Sequence, residues 1–412
     1  MDHPSSDHSL PHPSARSLPL DGVTVIAVEQ YGAGPFGTML MADLGAEVIK
    51  IENPAEGGDI GRHVGPYVFG PGDSQFFQAF NRNKRSMTLN LKHPEGMRIL
   101  RQLVSEADAV LDNLRGDLPE KLGLDYASLK AVNPAIVCAH LSAYGRDNER
   151  KSWPGYDYLM QAEAGYCSLT GEPDGPPARF GLSIVDMMTG LMCVFGLVSG
   201  VLGARRTGIG MDVDVSLFDT ALHNLNYLAT WYLNEGHLQG REPRGAHPSL
   251  TPSQLYRTKD GWMFLMCNKE KFWPALAECL GRPDWASDPR YASFKARLAN
   301  REALTRDLDA VMAERTTAEW MDLLGGVVPA SPVYDVGQAL DNPFVRNGAR
   351  VAPFARPEGG SPVEGLVGPV RIDGKMPLTT AAPALGADTE SVLGRLGLSA
   401  AGIAALRADK VV

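Results

Sequence analysis

The sequence predicts an α/β protein with a parallel, doubly wound sheet in its larger domain and a smaller α+β domain. Apolar segments of strand length alternate with helical segments through the first third of the chain, which is typical of a sheet covered by helices. The 412 residues are enough for two domains. A stretch rich in Gly, Pro and polar residues at 234–254 then interrupts the alternation.

The elements of the larger domain follow in order along the chain. The segment VTVIAVE at 23–29 predicts a buried strand, and Pro94 occupies the first position that proline favours in a helix. The same reasoning predicts further strands at 46–52, 86–91, 107–113 and 135–145, and helices at 36–45, from Pro94 onward and at 125–133.

The predicted domain boundaries follow changes in composition. Residues 1–17 are polar and rich in Pro and Ser, and we expect a disordered leader there. Residues 18–233 and 336–412 are assigned to the large domain, and the second of these segments ends in an amphipathic helix. Residues 234–335 are assigned to a linker and the small α+β domain, with a helix from Lys269.

Composition argues against several classes of function. The formal charge of −9 and the pI near 5.5 argue against a nucleic-acid partner. Five scattered cysteines without a CxxC pair predict a cytoplasmic protein with reduced thiols, and no metal-ligand spacing is present. The apolar run at 187–203 is shorter than the roughly 20 residues that cross a bilayer. We therefore expect a buried core helix and no membrane partner.

A glycine-rich segment, GAGPFG at 32–37, lies between a strand and a helix, and Glu52 ends the next strand. These are the parts of a dinucleotide site, in which glycines admit the pyrophosphate and an acid binds the ribose. However, two residues separate the strand from the first glycine, and Pro35 removes an N–H group from the turn. A nicotinamide or flavin cofactor, another adenine nucleotide ligand and a structural turn all remain open.

Two basic segments are weaker candidates for an anion site. Four cations cluster around a predicted strand start, where several donors can meet one anion: Arg82, Lys84, Arg85 and Lys92. The segment GGDIGR at 57–62 adds a further arginine. A solvated charged edge is the simpler explanation of the cluster when the residue pattern is taken alone.

Asp186 is the single charged residue of the segment GLSIVDMMTGLMCVFGLVSGVLG, and burial of an unpaired carboxylate is costly. An acid just before a long helix is a favoured N-cap, where it accepts backbone N–H bonds at the positive end of the helix dipole. The same geometry keeps a poorly hydrated carboxylate ionised and reactive, as a covalent nucleophile requires. The two interpretations are compatible.

Several motifs in order resemble the class III CoA-transferases, the family of formyl-CoA transferase and L-carnitine CoA-transferase. They are MADLGAEVIKIE, NRNKRSMTLNLK, ADAVLDNLRGDLPEKLGLDY and NPAIVCAHLSAYG, and the match continues almost to the C-terminus. The resemblance implies a Rossmann-like large domain and coenzyme A or acyl-CoA as substrate, with no permanently bound cofactor and no metal. It also implies a homodimer whose two chains interlock like rings.

The resemblance implies roles for single residues. Asp186 matches the covalent nucleophile, and three residues are implied to line the pocket for the acyl group and the acceptor: Tyr156, Asp157 and His247. Asn53 stands where the family often has an arginine that stacks on adenine, so Arg62 is expected to replace it. Coenzyme A contacts are implied for Gln30, Tyr31, Ala33, Leu89, Lys92, Asn113 and Lys121.

The implied reaction moves coenzyme A from an acyl-CoA, for example succinyl-CoA, to a small carboxylic acid through an aspartyl anhydride and an aspartyl-CoA thioester. Arg179 and Arg244 are candidates to bind a distal carboxylate. The alternative is an α-methylacyl-CoA racemase, but those enzymes have a histidine where Tyr156 stands, and tyrosine is a poor proton shuttle near neutral pH. A nicotinamide- or flavin-dependent oxidoreductase is a more distant alternative. The flap of formyl-CoA transferase is replaced by GAHPSLTPSQ at 245–254, which argues against formyl-CoA and oxalate as substrates.

Overall fold

The computed structural model describes residues 18–374 and 380–412, so the predicted leader at 1–17 lies outside the described residues. The described chain divides into two compact units. The first comprises the described residues of Met1–Asp157, Ser183–Ala221 and Ala349–Val412, and the second comprises Tyr158–Leu182 and Leu222–Gly348. The second unit therefore extends beyond the predicted 234–335 at both ends.

The first unit is built on a six-stranded parallel sheet, which confirms the α/β prediction. Its strands β1 to β6 are, in chain order, Thr24–Val28, Glu47–Glu52, Arg85–Thr88, Ala109–Asp112, Val137–Ser142 and Met211–Ser216. Their order across the sheet is β3-β2-β1-β4-β5-β6. The order reverses between β1 and β4, and sheets of this kind bind ligands in the crevice at the carboxyl ends of those two strands.

Three helices of the first unit recur below: α1 (Ala33–Asp43), α2 (Pro94–Glu106) and α3 (Ile184–Thr207). α1 begins inside the glycine-rich segment, earlier than the predicted residue 36. Pro35 is accommodated because the first N–H groups of a helix have no partner within it. The other helices of five or more residues that lie wholly in this unit are Gln75–Asn81, Leu118–Leu122, Thr389–Arg395 and Ala400–Ala408.

The long apolar helix α3 is buried along one face only, whereas the sequence predicts a buried core helix. Cys193 and Leu197 are fully buried, but Phe195 and Leu202 are 72% and 63% exposed. Among the described residues, α3 is the one helix long and apolar enough to cross a membrane, and 44% of its most apolar window is buried in the protein.

The hydrophobic core of the first unit joins the sheet to α2 and to the C-terminal helices. Ile26, Ile49 and Val110 of the sheet belong to the same buried cluster as Val392 and Ile403 near the C-terminus. Residues that lie far apart in sequence therefore share one core, and the last segment of the chain is an integral part of the first unit.

The second unit combines a three-stranded antiparallel sheet with helices. Trp262–Met266 is its central strand, between Ser253–Arg257 and Ala330–Pro332. The helices that lie wholly in this unit are Tyr227–Glu235, Phe272–Cys279, Phe294–Ala299, Arg301–Met312, Thr317–Leu324, Val336–Asp341 and Pro343–Arg346. Its core is rich in aromatic side chains, with the rings of Trp273 and Trp285 stacked 6.5 Å apart.

A buried histidine links three strands of the parallel sheet. His140 on β5 contacts Asp112 on β4 through Nδ1 at 2.6 Å and Asp212 on β6 through Nε2 at 3.0 Å. Burial alone would lower the pKa of His140, but the hydrogen bonds to both carboxylates raise it to about 9. The imidazolium is therefore a charged cross-link within the sheet at neutral pH.

We expect this cross-link to make stability depend on alkaline pH. The folded state holds the proton of His140 up to about pH 9, whereas the ordinary value is 6.5, so the stabilisation is complete below pH 6.5 and is lost by about pH 9. Urea unfolding should show that the free energy of unfolding of the wild-type protein falls between these pH values. The fall should be much smaller in His140→Asn, which lacks the titrating imidazole. The matched control is His63→Asn, which changes an exposed histidine and should keep the wild-type slope.

Candidate active site

The candidate site lies at the point where the strand order reverses. Gln30 follows β1 and Asn113 follows β4. The side-chain amide of Asn113 binds the backbone of Gln30 twice: it accepts from the N–H group at 2.8 Å and donates to the carbonyl oxygen at 2.7 Å. Asn113 thus fixes the loop that leaves β1 against the end of the neighbouring strand.

The next residue, Tyr31, has a positive φ of 69°, which is rare for a residue with a bulky side chain. Its N–H group donates to Oδ1 of Asp59 at 2.9 Å. Its ring lies 5.0 Å from the ring of Phe76 and 6.4 Å from that of Tyr156. The backbone and the ring of Tyr31 are therefore both held by the surrounding protein.

A buried network of charged side chains supports the loop that leaves β1. The Lys50 ammonium lies 2.8 Å from Oδ2 of Asp59 and donates to the Glu29 carbonyl oxygen at 2.9 Å. Burial alone would raise the pKa of Asp59, but Lys50 holds it below its ordinary value. Lys84 pairs with the Glu29 carboxylate at 2.7 Å, and burial lowers the pKa of Lys84 to about 8.

Helices α1 and α3 approach each other through glycines. A Cβ atom on Gly37 would lie 2.7 Å from the carbonyl oxygen of Gly190, and one on Gly190 would lie 2.4 Å from the carbonyl oxygen of Ala33. Neither distance leaves room for a methyl group. This close contact brings the first turns of both helices to the same crevice, and the N-cap residues, Gly32 of α1 and Ser183 of α3, provide no side-chain cap.

Asp186 lies in the first turn of α3, inside the helix, so the prediction that it is the N-cap is wrong; Ser183 holds that position. The N–H group of Asp186 donates to Oδ2 of Asp157 at 2.9 Å. A Cβ atom on Gly32 would lie 2.9 Å from Oδ2 of Asp186. The glycine at 32 therefore leaves space for the carboxylate.

The Asp186 carboxylate lies in an unfavourable electrostatic environment. Burial first, and the nearby carboxylate of Asp157 second, raise the pKa of Asp186 to about 7. The positive ends of α1 and α3 act in the opposite direction, because helix N-termini stabilise anions. The result is a poorly solvated carboxyl group that changes its charge near neutral pH.

Two adjoining cavities collect most of the predicted residues. A cavity of about 280 Å³ is lined by the carboxylate and by predicted contact residues, namely Asp186, Gln30, Tyr31, Ala33, Asn113 and Tyr156. A cavity of about 420 Å³ is lined by Leu89, Lys92 and Asn53 and shares Gln30, Leu114 and Leu118 with the first. Together they follow the crevice from Asp186 along the ends of β1, β2 and β4.

Some predicted residues lie elsewhere. Lys121 lines a separate cleft of about 760 Å³ and pairs with Asp117 at 2.7 Å. Asp157 is buried and accepts the Asp186 N–H bond, so it supports the first turn of α3, whereas the sequence predicts a pocket wall. Tyr156, by contrast, is 63% exposed and lines the same cavity as Asp186.

The predicted role of Arg62 in adenine stacking requires correction. Its guanidinium forms two hydrogen bonds of 2.7 Å with the Glu52 carboxylate, packs 3.8 Å from the centre of the Phe77 ring and is buried. No face of this side chain is left for an adenine. Because Glu52 is occupied by the same pair, it lacks the free carboxylate that a ribose would need, and the dinucleotide interpretation is wrong.

The cations of the predicted basic cluster form ion pairs with separate carboxylates. Each of its four cations has its own acidic partner: Arg82 with Asp43, Lys84 with Glu29, Arg85 with Glu47 and Lys92 with Glu56. The pairs of Arg82 and Lys84 are buried. The cluster therefore serves the folded structure and does not form one anion site.

The predicted residues of the second unit have partners within that unit. Arg244 forms an ion pair of 2.6 Å with Asp309, and the Arg179 guanidinium lies over the ring of Tyr158. His247 accepts the N–H bonds of Ser249 and Leu250 through Nδ1 at 3.1 Å and 3.2 Å. These contacts give all three side chains a structural role in their own unit.

The sequence reasoning missed the Lys50–Asp59 pair. A signal was present, since Lys50 interrupts the apolar strand EVIKIE and Asp59 belongs to the segment GGDIGR. Within the described residues, 18–374 and 380–412, no group of His, Cys, Asp and Glu side chains is arranged to hold a metal ion.

Comparisons with known proteins show the family of the chain. The chain is 34% identical to the succinate–glutarate CoA-transferase of Agrobacterium fabrum over 92% of its own length and 96% of that protein. It is 35% identical to the acetyl-CoA:oxalate CoA-transferase of Acetobacter aceti, over 80% of this chain and 85% of that protein. The crystal structure of a CAIB/BAIF family protein from Brucella suis superposes with a TM-score of 0.80 at 33% identity and covers 92% of this chain and 100% of that one. Residues 20–389 match the sequence model of CoA-transferase family III, and the chain is an enzyme of that family.

Proposed function

We propose that this enzyme transfers coenzyme A from a dicarboxylic acyl-CoA such as succinyl-CoA to a small carboxylic acid, with Asp186 as covalent nucleophile. The observation that carries the proposal is the Asp186 carboxylate in the crevice beside Gly32, with its pKa raised to about 7. The names of the relatives from Agrobacterium fabrum and Acetobacter aceti support small carboxylic acids as the substrate class.

The proposed reaction has four steps. An Asp186 oxygen attacks the thioester carbonyl carbon, the C–S bond breaks, and a mixed anhydride and the coenzyme A thiolate form. The thiolate attacks the aspartyl carbonyl carbon of the anhydride, and the donor acid leaves as its carboxylate. The acceptor carboxylate attacks the carbonyl carbon of the resulting aspartyl-CoA thioester, the C–S bond breaks, and a second anhydride and the coenzyme A thiolate form. The thiolate then attacks the acceptor carbonyl carbon, which regenerates Asp186.

The first turns of α1 and α3 supply the electrostatics of these steps. Each tetrahedral intermediate carries a negative oxygen, and N–H groups at a helix start can stabilise it. The two helices meet at Gly32 and Asp186, so their positive ends face the reacting carbonyl. A donor of this kind contributes about 3 kcal/mol when it is preorganised.

We further propose that the enzyme is a homodimer of interlocked chains in the cytoplasm. The exposed apolar face of α3, with Phe195 and Leu202, is a surface that a second copy would cover. The five cysteines are free thiols, which supports a reducing compartment.

Trapping the aspartyl-CoA thioester tests the nucleophile. Incubation with succinyl-CoA without acceptor should add coenzyme A covalently at Asp186, as intact-protein and peptide mass spectrometry can detect, and hydroxylamine should release it. Asp186→Asn should give no adduct and lose about 10⁴-fold in kcat. The control Asp174→Asn alters an exposed carboxylate and should react normally. An adduct on Asp186→Asn would contradict the proposal.

Gly32→Ala tests the space beside the nucleophile. Its backbone φ of −113° suits alanine, but the added methyl carbon would lie 2.9 Å from Oδ2 of Asp186. We expect kcat to fall about 100-fold because a displacement of this size misaligns the attacking oxygen. Thermal unfolding should change little. The control Gly181→Ala adds a methyl group with no neighbour within 4 Å, and a full-activity Gly32→Ala enzyme would refute the assignment.

The pH profile tests the charge state of Asp186. Only the carboxylate attacks the thioester, so kcat/KM should rise with pH through a midpoint near 7 and be lost in acid. Asp157→Asn removes the neighbouring negative charge but keeps an oxygen for the Asp186 N–H bond. Its midpoint should therefore move to lower pH. A midpoint that stays in place would assign the titration to another group.

A further inference from the structure

We propose that Tyr31 is a specificity-determining residue whose ring bounds the acyl subsite beside Asp186 and excludes bulky acyl groups. The inference rests on the proposed function, because it concerns which acyl-CoA can reach the nucleophile. Three observations carry it: the backbone conformation of Tyr31, the buried ion pair that holds this conformation, and the position of the ring in the cavity.

The backbone of Tyr31 suits glycine better than tyrosine. A φ of 69° brings the side chain of an L-residue against its own backbone, and glycine adopts it without cost. Residues held in such conformations cluster at functional sites. Glycine already occurs at positions 32 and 34 of the same turn. The backbone conformation therefore does not explain why residue 31 is a tyrosine, and we infer that its side chain has a function.

A buried ion pair holds Tyr31 in this conformation. Oδ1 of Asp59 accepts the N–H groups of Tyr31 and Gly61 at 2.9 Å and 2.7 Å, while Oδ2 lies 2.8 Å from the Lys50 ammonium. Lys50 also donates to the carbonyl oxygen of Glu29 at 2.9 Å. One buried pair thus fixes the chain on both sides of Gln30. Asp59 and Lys50 are positioning residues for Tyr31.

The ring of Tyr31 stands between the protein interior and the cavity. It packs on Phe76 at 5.0 Å, and its edge meets the more exposed ring of Tyr156 at 6.4 Å. The residue is 38% exposed and lines the same cavity of about 280 Å³ as Asp186. Its chain neighbour, Gly32, abuts the carboxylate. Tyr31 and Asp186 therefore border the same small cavity.

In this position the Tyr31 ring bounds the proposed acyl subsite. The thioester carbonyl must reach Asp186, so the acyl chain extends from that point into the space that the aromatic rings leave open. A branched or aromatic acyl group would collide with the Tyr31 ring, because the backbone of Tyr31 is held by Asp59 and its ring packs against those of Phe76 and Tyr156. Linear acyl groups avoid the collision. Removal of the ring should enlarge the subsite without disturbing the nucleophile.

The test compares acyl donors on the full-length enzyme. For succinyl-CoA, 3-methylbutanoyl-CoA and benzoyl-CoA, kcat/KM is measured with one acceptor in wild type, Tyr31→Gly and Tyr31→Phe. In Tyr31→Gly the ratio of benzoyl-CoA to succinyl-CoA should rise at least about tenfold, as expected for a change of pocket volume. Glycine accepts the positive φ, which offsets part of the stability lost with the ring's packing on Phe76. Tyr31→Phe retains the ring and should keep the wild-type ratio.

A double variant tests the positioning pair. Lys50→Met/Asp59→Asn removes both buried charges together and leaves an amide oxygen for the Tyr31 N–H group. A loss of stability alone would lower both rates equally, whereas a released ring should raise the same donor ratio as Tyr31→Gly does. An unchanged ratio would show that the pair does not position the ring.

The outcomes separate this inference from the proposed function. A wild-type enzyme that transfers coenzyme A, with the same donor ranking in Tyr31→Gly, would overturn the role of Tyr31 alone. A wild-type enzyme that transfers from none of the donors and forms no adduct at Asp186 would contradict the proposed function, and the inference with it.

Discussion

The close crossing of α1 and α3 is the constraint on which the site depends. Gly37 and Gly190 meet where no side chain fits, so two helices from distant parts of the sequence begin at the same crevice. This contact makes Gly32 and Asp186 neighbours although they lie on different elements. The sheet contributes the crevice itself, through the reversal of strand order between β1 and β4. The crevice is common to sheets of this kind, and the crossing of the two helices is what places the Asp186 carboxylate in it.

The charges of the first unit divide into two kinds. Lys50, Asp59 and Glu29 are buried and oppositely paired, which offsets the cost of removing them from water. Asp186 is different, because the charged group nearest to its backbone is the carboxylate of Asp157. The paired charges make the loop after β1 rigid. Asp186, in its unfavourable environment, has the raised pKa on which its proposed reactivity rests. Rigidity and the proposed reactivity therefore come from separate residues.

Much of the fold could be predicted because apolar strand segments and helix starts are local patterns, as the agreement of VTVIAVE with β1 illustrates. Asp186 is predicted as the nucleophile from its isolation in an apolar helix together with the family resemblance, and this role stays a prediction. The roles predicted for Arg62 and Glu52 failed for a physical reason. Their pairing depends on how the chain turns between them, and residue patterns do not specify which buried charges meet. The same limit hid the Lys50–Asp59 pair.

The glycines of α3 have a consequence for the order of folding. Gly190, Gly196, Gly200 and Gly203 all lie within this helix, and each lowers its intrinsic helical stability by about 1 kcal/mol relative to alanine. The isolated segment is therefore a poor helix, and it gains its structure from contact with α1 and the sheet. Its first turn, with Asp186, should consequently order only once those elements are in place. A nascent or partly unfolded chain would therefore not present Asp186, the proposed nucleophile, to cellular thioesters.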